Sequence, residues 1–445
     1  MTNRTIAAIS TPPGTGGISV IRISGGNAVS IADKIFFGAD LAAAATHTVH
    51  YGHIKNAAGE TADEVLATVM RAPRTFTRED TVEISCHGGI IATRAVLGAV
   101  IEAGAYPAEP GEFTKRAFLN GRIDLSRAEA VIDIINAKNE LSRRNAVMQL
   151  GGRLHDKIKS IRDRLVHLMA QMQVIIDYPD EGLEDVTRDD IGSVCRECAE
   201  ETGVLLKTAD SGRIVKDGIR CVIVGKPNVG KSSILNYLAQ DERAIVTEIA
   251  GTTRDVIEES VSINGIPLIL SDTAGIHDTD DAVEKIGVEK SKRYIDGADI
   301  VIVVLDSVSG TDDEDRAVLA QTEGKQRIIL VNKSDIRRSD NDTAIAVSAV
   351  TGEGMDKLAA EITRICRLDD ISENGLIITN MRHRSALLAA RGALSDAEAA
   401  LASGMPEDIV SIDISAAADA LGEITGETVS DSVVDDIFHS FCVGK

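Results

Sequence analysis

The sequence predicts a multidomain protein of mixed α/β and α+β class, in which a doubly wound α/β block interrupts a helical domain. Three observations carry this prediction. Short β-rich runs separated by turns fill residues 1–119, apolar residues recur at three- and four-residue spacing on both sides of residues 217–370, and that central block opens with a strand, a glycine loop and a helix. The 445 residues suffice for several domains, and 44% hydrophobic with 26% charged residues is ordinary globular composition.

In order along the chain, TIAAIS, GISVIRIS, HTVHYGHIK, EVLATVMRA and DTVEIS read as strands, followed by a helical stretch from Gly89 to Ala103. Together they make residues 1–119 a compact α+β domain. From Asp124 to Asp177, Leu125, Ala128, Val131, Ile132 and Ile135 follow helical spacing, which predicts two long helices broken near Gly151 and Gly152. No proline interrupts Pro110 to Pro179 or Pro267 to Pro406, so long helices are permitted in both intervals. Residues 189–216, 381–403 and 406–421 are helical as well, giving a helical domain in two parts, 120–216 and 371–445. The intervening block, 217–370, runs IRCVIV, a glycine loop, a helix from Ser232, VIEESVSI, IPLILSD, IVIVVL, RIILVN and AIAVS. Asn264-Gly265 between two alternating runs signals a hairpin, and the other strands are separated by helix-length polar segments.

Charge excludes one class of function. Against 47 basic side chains stand 69 acidic ones, a net charge of -22, and the excess is greatest in the C-terminal half: 18 basic against 29 acidic residues in 217–370, and 4 against 12 in 371–445. A protein that grips nucleic acid unaided needs a basic footprint, so any such role must be local or assisted. Six scattered cysteines, of which only Cys195 and Cys198 are close, predict neither a disulfide framework nor a zinc site. The N-terminus has no sustained apolar segment and the longest apolar runs are strand-sized, which predicts a cytoplasmic protein without a membrane segment.

The chemistry lies in four motifs. GKPNVGKS, from Gly225 to Ser232, follows an apolar strand and precedes a helix. Its glycines let backbone N–H groups converge on phosphates, Lys231 reaches the β and γ oxygens, and the Ser232 hydroxyl suits Mg²⁺. NKSD, Asn332 to Asp335, ends a strand where the Asp335 carboxylate can accept from the N1–H and amino group of guanine. DTAG, Asp272 to Gly275, offers an acid for the metal and a glycine N–H for the γ-phosphate; GTTRD, Gly251 to Asp255, adds Thr253. Their order predicts a GTP-hydrolysing block. Ile276 follows DTAG where a Ras-type enzyme has its water-orienting glutamine, so hydrolysis must be organised differently. Asn228 with the carbonyls of Thr247 to Thr253 could hold K⁺ among the phosphates; alternatively, Asn228 only stabilises its loop.

GKPNVGKSSILN, IVTEIAGTTRD, DTAG, SAVTGEG and the terminal FCVGK, with TPPGTGGISVIRISG, CHGG, PGEFTKRAFLNGRIDLSRAEA and IDYPDE, resemble the MnmE (TrmE) family of tRNA modification GTPases over the whole chain. The resemblance implies a folate-binding-like N-terminal domain that also joins a homodimer, the helical domain, and an inserted Ras-like G domain. It implies work with MnmG, a partner that carries FAD, to add a carboxymethylaminomethyl or aminomethyl group to C5 of the wobble uridine of certain tRNAs. The one-carbon unit would come from a reduced folate, as 5-formyl- or 5,10-methylene-tetrahydrofolate, and the amine from glycine or ammonia.

Carried over residue by residue, Arg22, Glu83, Arg122 and Lys445 would contact the folate. Asn228, Val229, Gly230, Lys231, Ser232 and Ser233 would hold the phosphates of GTP, with Thr247, Glu248, Ile249, Ala250, Gly251, Thr252 and Thr253 facing them. Asp272, Thr273, Ala274 and Gly275 would complete the γ-phosphate side. Asn332, Lys333 and Asp335 with Ser348 and Ala349 would hold the base. The family's K⁺ site maps onto Asn228, Thr247, Ile249 and Thr252, and its Mg²⁺ site onto Ser232 and Thr253. Its hydrolysis acid maps onto Glu284, with Arg254 as a second support for the transition state. Cys442 becomes a candidate nucleophile or acid for the uridine chemistry. The competing expectation, a ribosome-assembly or signalling switch GTPase, calls for a basic RNA-binding appendage, which the acidic residues 371–445 do not supply.

Overall fold

The computed structural model describes residues 4–177, 187–240, 258–263, 266–271, 294–337, 343–365 and 375–445. They fall into two compact units, one made of residues up to Ile132 with Gln149–Val166 and Ala418–Lys445, the other of Asp133–Met148 and His167–Ala417.

The first unit is built on the predicted alternating runs, β1 (Ile6–Ile9), β2 (Ile18–Ser24), β4 (Thr48–Lys55), β5 (Thr61–Met70) and β6 (Thr81–His87), plus the two-residue β3 (Phe36–Phe37) and β7 (Tyr106–Pro107). They form one sheet in the order β3-β4-β5-β6-β2-β1-β7, antiparallel except where β7 runs parallel to β1. The inward residues Ile21, Ile23, Val65, Val82 and Ile84 pack beneath α1 (Ala28–Ile35) and α2 (Ile90–Glu102). Burying each such side chain contributes about 1.5–3 kcal/mol. On the opposite face, Ile6 and Ala8 of β1 pack against Phe113 of α3 (Glu112–Leu119) and Phe76. Farther along that face the sheet is bare: Val49 and the paired Tyr51 and Leu66 are 59%, 61% and 45% exposed.

The helical region departs from its prediction. Three helices replace the expected two: α4 (Leu125–Asn136), α5 (Glu140–Leu150) and α6 (Arg153–Asp177). The additional break falls where the Asn139 side chain accepts from Ser142 N at 2.8 Å and so starts a new helix. The break at Gly151 and Gly152 is as expected. α7 (Arg188–Asp217) matches its prediction, as do the later helices described below, while α13 (Asp431–His439) was not predicted. In the first unit, α13 closes a small aromatic core in which Phe438 lies against Phe118 and Phe441, with Leu125 and Val434.

The second unit contains a six-stranded sheet of β8 (Ile219–Val224), β9 (Glu258–Ile263), β10 (Ile266–Ser271), β11 (Ile300–Asp306), β12 (Arg327–Asn332) and β13 (Ile345–Ala346), ordered β13-β12-β11-β8-β10-β9. All neighbours are parallel except β9 and β10. Ile263 pairs with Ile266, the register of a two-residue hairpin. The near-continuous apolar runs of β8, β11 and β12 suit parallel strands covered on both faces, and their alternate residues do enter two separate cores. Covering helices are α8 (Lys231–Gln240), α9 (Asp313–Gln321) and α10 (Met355–Ile365). α11 (Met381–Ala402) lies along α7, and α12 (Glu407–Thr425) follows it. From β8 the chain first builds β9 and β10 on one side and then crosses to β11 on the other, so the strand order switches at β8, where α/β sheets place ligands beyond the carboxyl ends of the strands.

Candidate functional site

β8 runs directly into the phosphate loop, and α8 begins on Lys231. The loop curls because Asn228 and Gly230 take left-handed backbone, at φ +64° and +97°. At Gly230 no side chain fits, since a Cβ would stand 2.2 Å from Asn332 Nδ2. That close approach has a purpose: Asn332 Nδ2 donates to Val229 O at 2.8 Å while Asn332 Oδ1 accepts from Ala349 N at 3.2 Å. One buried amide therefore joins the phosphate loop, the NKSD turn and the segment at Ser348 and Ala349.

Lys231 Nζ donates to Gly225 O at 2.8 Å and Lys226 O at 2.7 Å, placing its ammonium at the centre of the loop. Burial pushes its pKa down. An ammonium in a ring of backbone at a helix N-terminus fits phosphate oxygens, which would meet both the cation and the unpaired N–H groups. Ser232 and Ser233 are exposed on the first turn of α8, so the Ser232 hydroxyl is free to face a metal held by those phosphates. Asn228 is exposed at the loop tip, within the chemistry expected of an amide ligand to K⁺. Asp335 is exposed beyond β12, where its carboxylate is open to a ligand. Lys333 is also left-handed, at φ +66°, and Ser348 is fully buried. Thr247, Glu248, Ile249, Ala250, Gly251, Thr252, Thr253, Arg254, Asp272, Thr273, Ala274, Gly275 and Glu284 lie outside the described residues, as does the Asn264-Gly265 turn.

A second cluster forms in the first unit. Arg22 on β2 and Glu83 on β6 are register partners, and Arg22 Nε and Nη2 both stand 2.8 Å from Glu83 Oε1. The Lys445 ammonium joins them: burial pushes its pKa down, and the Arg22 charge pushes it further while Glu83 opposes. Arg122, exposed in the turn before α4, donates to Phe76 O at 3.3 Å. The two arginines rest on one apolar shelf, with Arg22 Cζ 5.7 Å from the Phe113 ring centre and Arg122 Cζ 5.2 Å from that of Phe76. Arg22, paired with Glu83, and Arg122 offer two cations that acidic groups of a ligand could meet.

The tail that delivers Lys445 is pinned. Ser10 Oγ donates to Gly444 O at 3.1 Å, Val443 bridges to Pro110, and a Cβ on Gly444, itself at φ +95°, would stand 2.2 Å from Ile9 O. Cys442 is exposed on this tail and within electrostatic reach of Lys445, and its carbonyl accepts from Gly111 N. The other described cysteines are buried; burial pushes the Cys195 thiol up to about 12, which leaves it unreactive. Sequence reasoning missed the shelf of Phe76 and Phe113 and the acidic partners of Lys226 and Lys333. For the shelf, the available signal was the pairing of scarce aromatics with arginines.

Comparison with known proteins places the chain in a family. Residues 125–442 match the model of the MnmE helical domain, and residues 5–122 match that of the GTP-binding protein TrmE N-terminus. The tRNA modification GTPase MnmE of Lactobacillus gasseri is 48% identical over 99% of this chain and 98% of its own length. The chain belongs to the MnmE family. The family's protein from Lactobacillus acidophilus is 47% identical over the same shares. Among solved structures, the G domain of the T. maritima FeoB iron transporter is 25% identical, covers 34% of this chain and 99% of its own, and has a TM-score of 0.26. The MnmE family thus accounts for both the N-terminal and the helical parts, and the chain is a GTPase of tRNA modification.

Proposed function

We propose that this GTPase uses its two sites in one reaction: the addition of a carboxymethylaminomethyl or aminomethyl group to C5 of the wobble uridine of certain tRNAs. The carbon would come from a reduced folate held at Arg22, Glu83, Arg122 and Lys445, and the partner would be the FAD-bearing MnmG. The single observation that carries this reading is the Arg22–Glu83 ion pair with Lys445 in electrostatic reach of it, on a tail that also carries Cys442. In this reading residues 1–119 form the folate and dimerisation domain, 120–216 and 371–445 the helical domain, and 217–370 the G domain.

The bare sheet face supports a homodimer. Val49, Thr68, Glu83 and Arg22 stand in one cross-strand row, with Tyr51 and Leu66 in the next, so the folate corner and the apolar stripe share a face. A second copy would bury that stripe. The chain works in the cytoplasm in this reading, and no helix among the described residues is long and apolar enough to cross a membrane. tRNA is the nucleic-acid partner, with much of the basic footprint supplied by the flavoprotein.

Hydrolysis at the G domain is completed by K⁺ at Asn228, Thr247, Ile249 and Thr252, by Mg²⁺ at Ser232 and Thr253, and by Glu284 and Arg254. GTP turnover should then be faster in KCl than in NaCl at equal ionic strength; equal rates dismiss the cation site. The deciding experiment is mass spectrometry of bulk tRNA from cells lacking the protein, complemented with wild type or Cys442→Ser. Loss of C5-modified wobble uridine without the protein and rescue by wild type support the pathway. Failure of the mutant to rescue assigns the cysteine, and unchanged uridine in cells lacking the protein overturns the reading.

A further inference from the structure

The connection from β11 into α9, residues 306–315, carries none of the nucleotide motifs, yet both lysine-bearing motifs are tied to it. On the phosphate side, Lys226 Nζ lies 2.6 Å from Asp312 Oδ2 and 2.8 Å from Asp315 Oδ2. On the base side, Lys333 Nζ lies 2.6 Å from Asp306 Oδ2, and Ser307 Oγ donates to Lys333 O at 2.8 Å. Neither anchor is loose. Asp312 and Asp315 form the capping box of α9, the Asp315 side chain is 1% exposed, and its Oδ1 has no hydrogen-bond partner. A buried carboxylate with one unsatisfied oxygen depends heavily on the cation at the other, so separating Lys226 from it is costly. The two carboxylates in turn hold the Lys226 ammonium well above the usual lysine range.

The main chain of Lys226 carries this restraint inward, because its carbonyl accepts from Lys231 Nζ at 2.7 Å. Anchoring the Lys226 side chain therefore fixes the turn on which the phosphate-binding ammonium rests. We propose that residues 306–315 form a bracket that preorganises the nucleotide pocket, with Lys226, Asp312 and Asp306 as positioning residues. A loop already held in its binding geometry loses less freedom when phosphates arrive, so the bracket contributes to nucleotide affinity and not to the hydrolysis step.

Binding of fluorescent mant-GDP and mant-GTP to the full chain, with steady-state GTP turnover, tests this. Wild-type binding in the same assay first secures the GTPase reading separately. Lys226→Met should weaken both nucleotides by about 10-fold, with the loss falling in KM rather than kcat. Asp312→Asn should cost less, the double variant should be no weaker than Lys226→Met alone, and Lys226→Arg should recover most of the affinity. Asp306→Asn, on the other side, should weaken binding by about 3-fold. An unchanged Kd for Lys226→Met, a fall in kcat at constant KM, or losses that multiply in the double variant overturn the proposal. If Lys226→Met does not fold, an unchanged Kd for Asp306→Asn overturns it instead.

Discussion

The phosphate loop and the proposed folate corner would solve the same problem, holding an anionic ligand, by opposite means. The loop takes its donors from eight consecutive residues and aims them with backbone: left-handed turns at Asn228 and Gly230, and a helix N-terminus at Lys231. The proposed corner takes side chains from residues 22, 83, 122 and 445, which a sheet register, an aromatic shelf and a pinned tail would aim. A site made of contiguous backbone is aimed mainly by its own turns, with residues 306–315 as outside support, whereas a site assembled from distant side chains is sensitive to every element that brings them together.

Tests of that contrast run from large effects to small. Glu284→Ala should leave nucleotide affinity intact and lower turnover about 100-fold or more, read by phosphate release; unchanged turnover removes Glu284 from the mechanism. Arg22→Ala should weaken 5-formyltetrahydrofolate about 10- to 100-fold by calorimetry, because Glu83 loses its charged partner and the ligand a donor. GTP turnover in that variant should stay within about two-fold of wild type, and an equal loss in both assays would show that the two sites are not separable.

Gly444→Ala puts a Cβ against Ile9 O, and the cheapest relief is for the tail to lift away. Folate affinity should then fall by about 10-fold, as in Lys445→Ala, with a melting shift of under about 3 °C; a large melting shift with intact affinity would place the tail in the core rather than in the site. The smallest effect concerns pH. Burial and Arg22 depress the pKa of Lys445, and an acidic ligand would raise it again, so binding takes up a proton between the two values. Affinity should therefore decline as pH rises through the depressed value, and Lys445→Arg should flatten the profile in a calorimetric pH series.

The same contrast explains what could be read in the residues. Gly225 to Ser232 and Asn332 to Asp335 announce their chemistry because spacing alone sets the geometry, and the parallel strands are visible as continuous apolar runs. Arg22, Glu83 and Lys445 are ordinary charges until the sheet and tail bring them within reach of one another, and only the family resemblance singled them out, with Arg122. Asp306, Asp312 and Asp315 were hidden among 29 acids of one block, since nothing local distinguishes a carboxylate that holds a lysine from one that faces water. Asn139 broke a helix that periodicity extended, because a side chain competing for a backbone N–H leaves the apolar spacing untouched.

The bond from Ser10 to Gly444 spans 434 residues. On the ribosome, residues 22 and 83 emerge long before residue 445, a wait of roughly 20–70 s at ordinary translation speeds. The nucleotide block can be finished while the corner is still missing its lysine. On the proposed function, a chain cut short after that block would bind GTP without a complete folate corner, consuming nucleotide for a reaction it cannot perform.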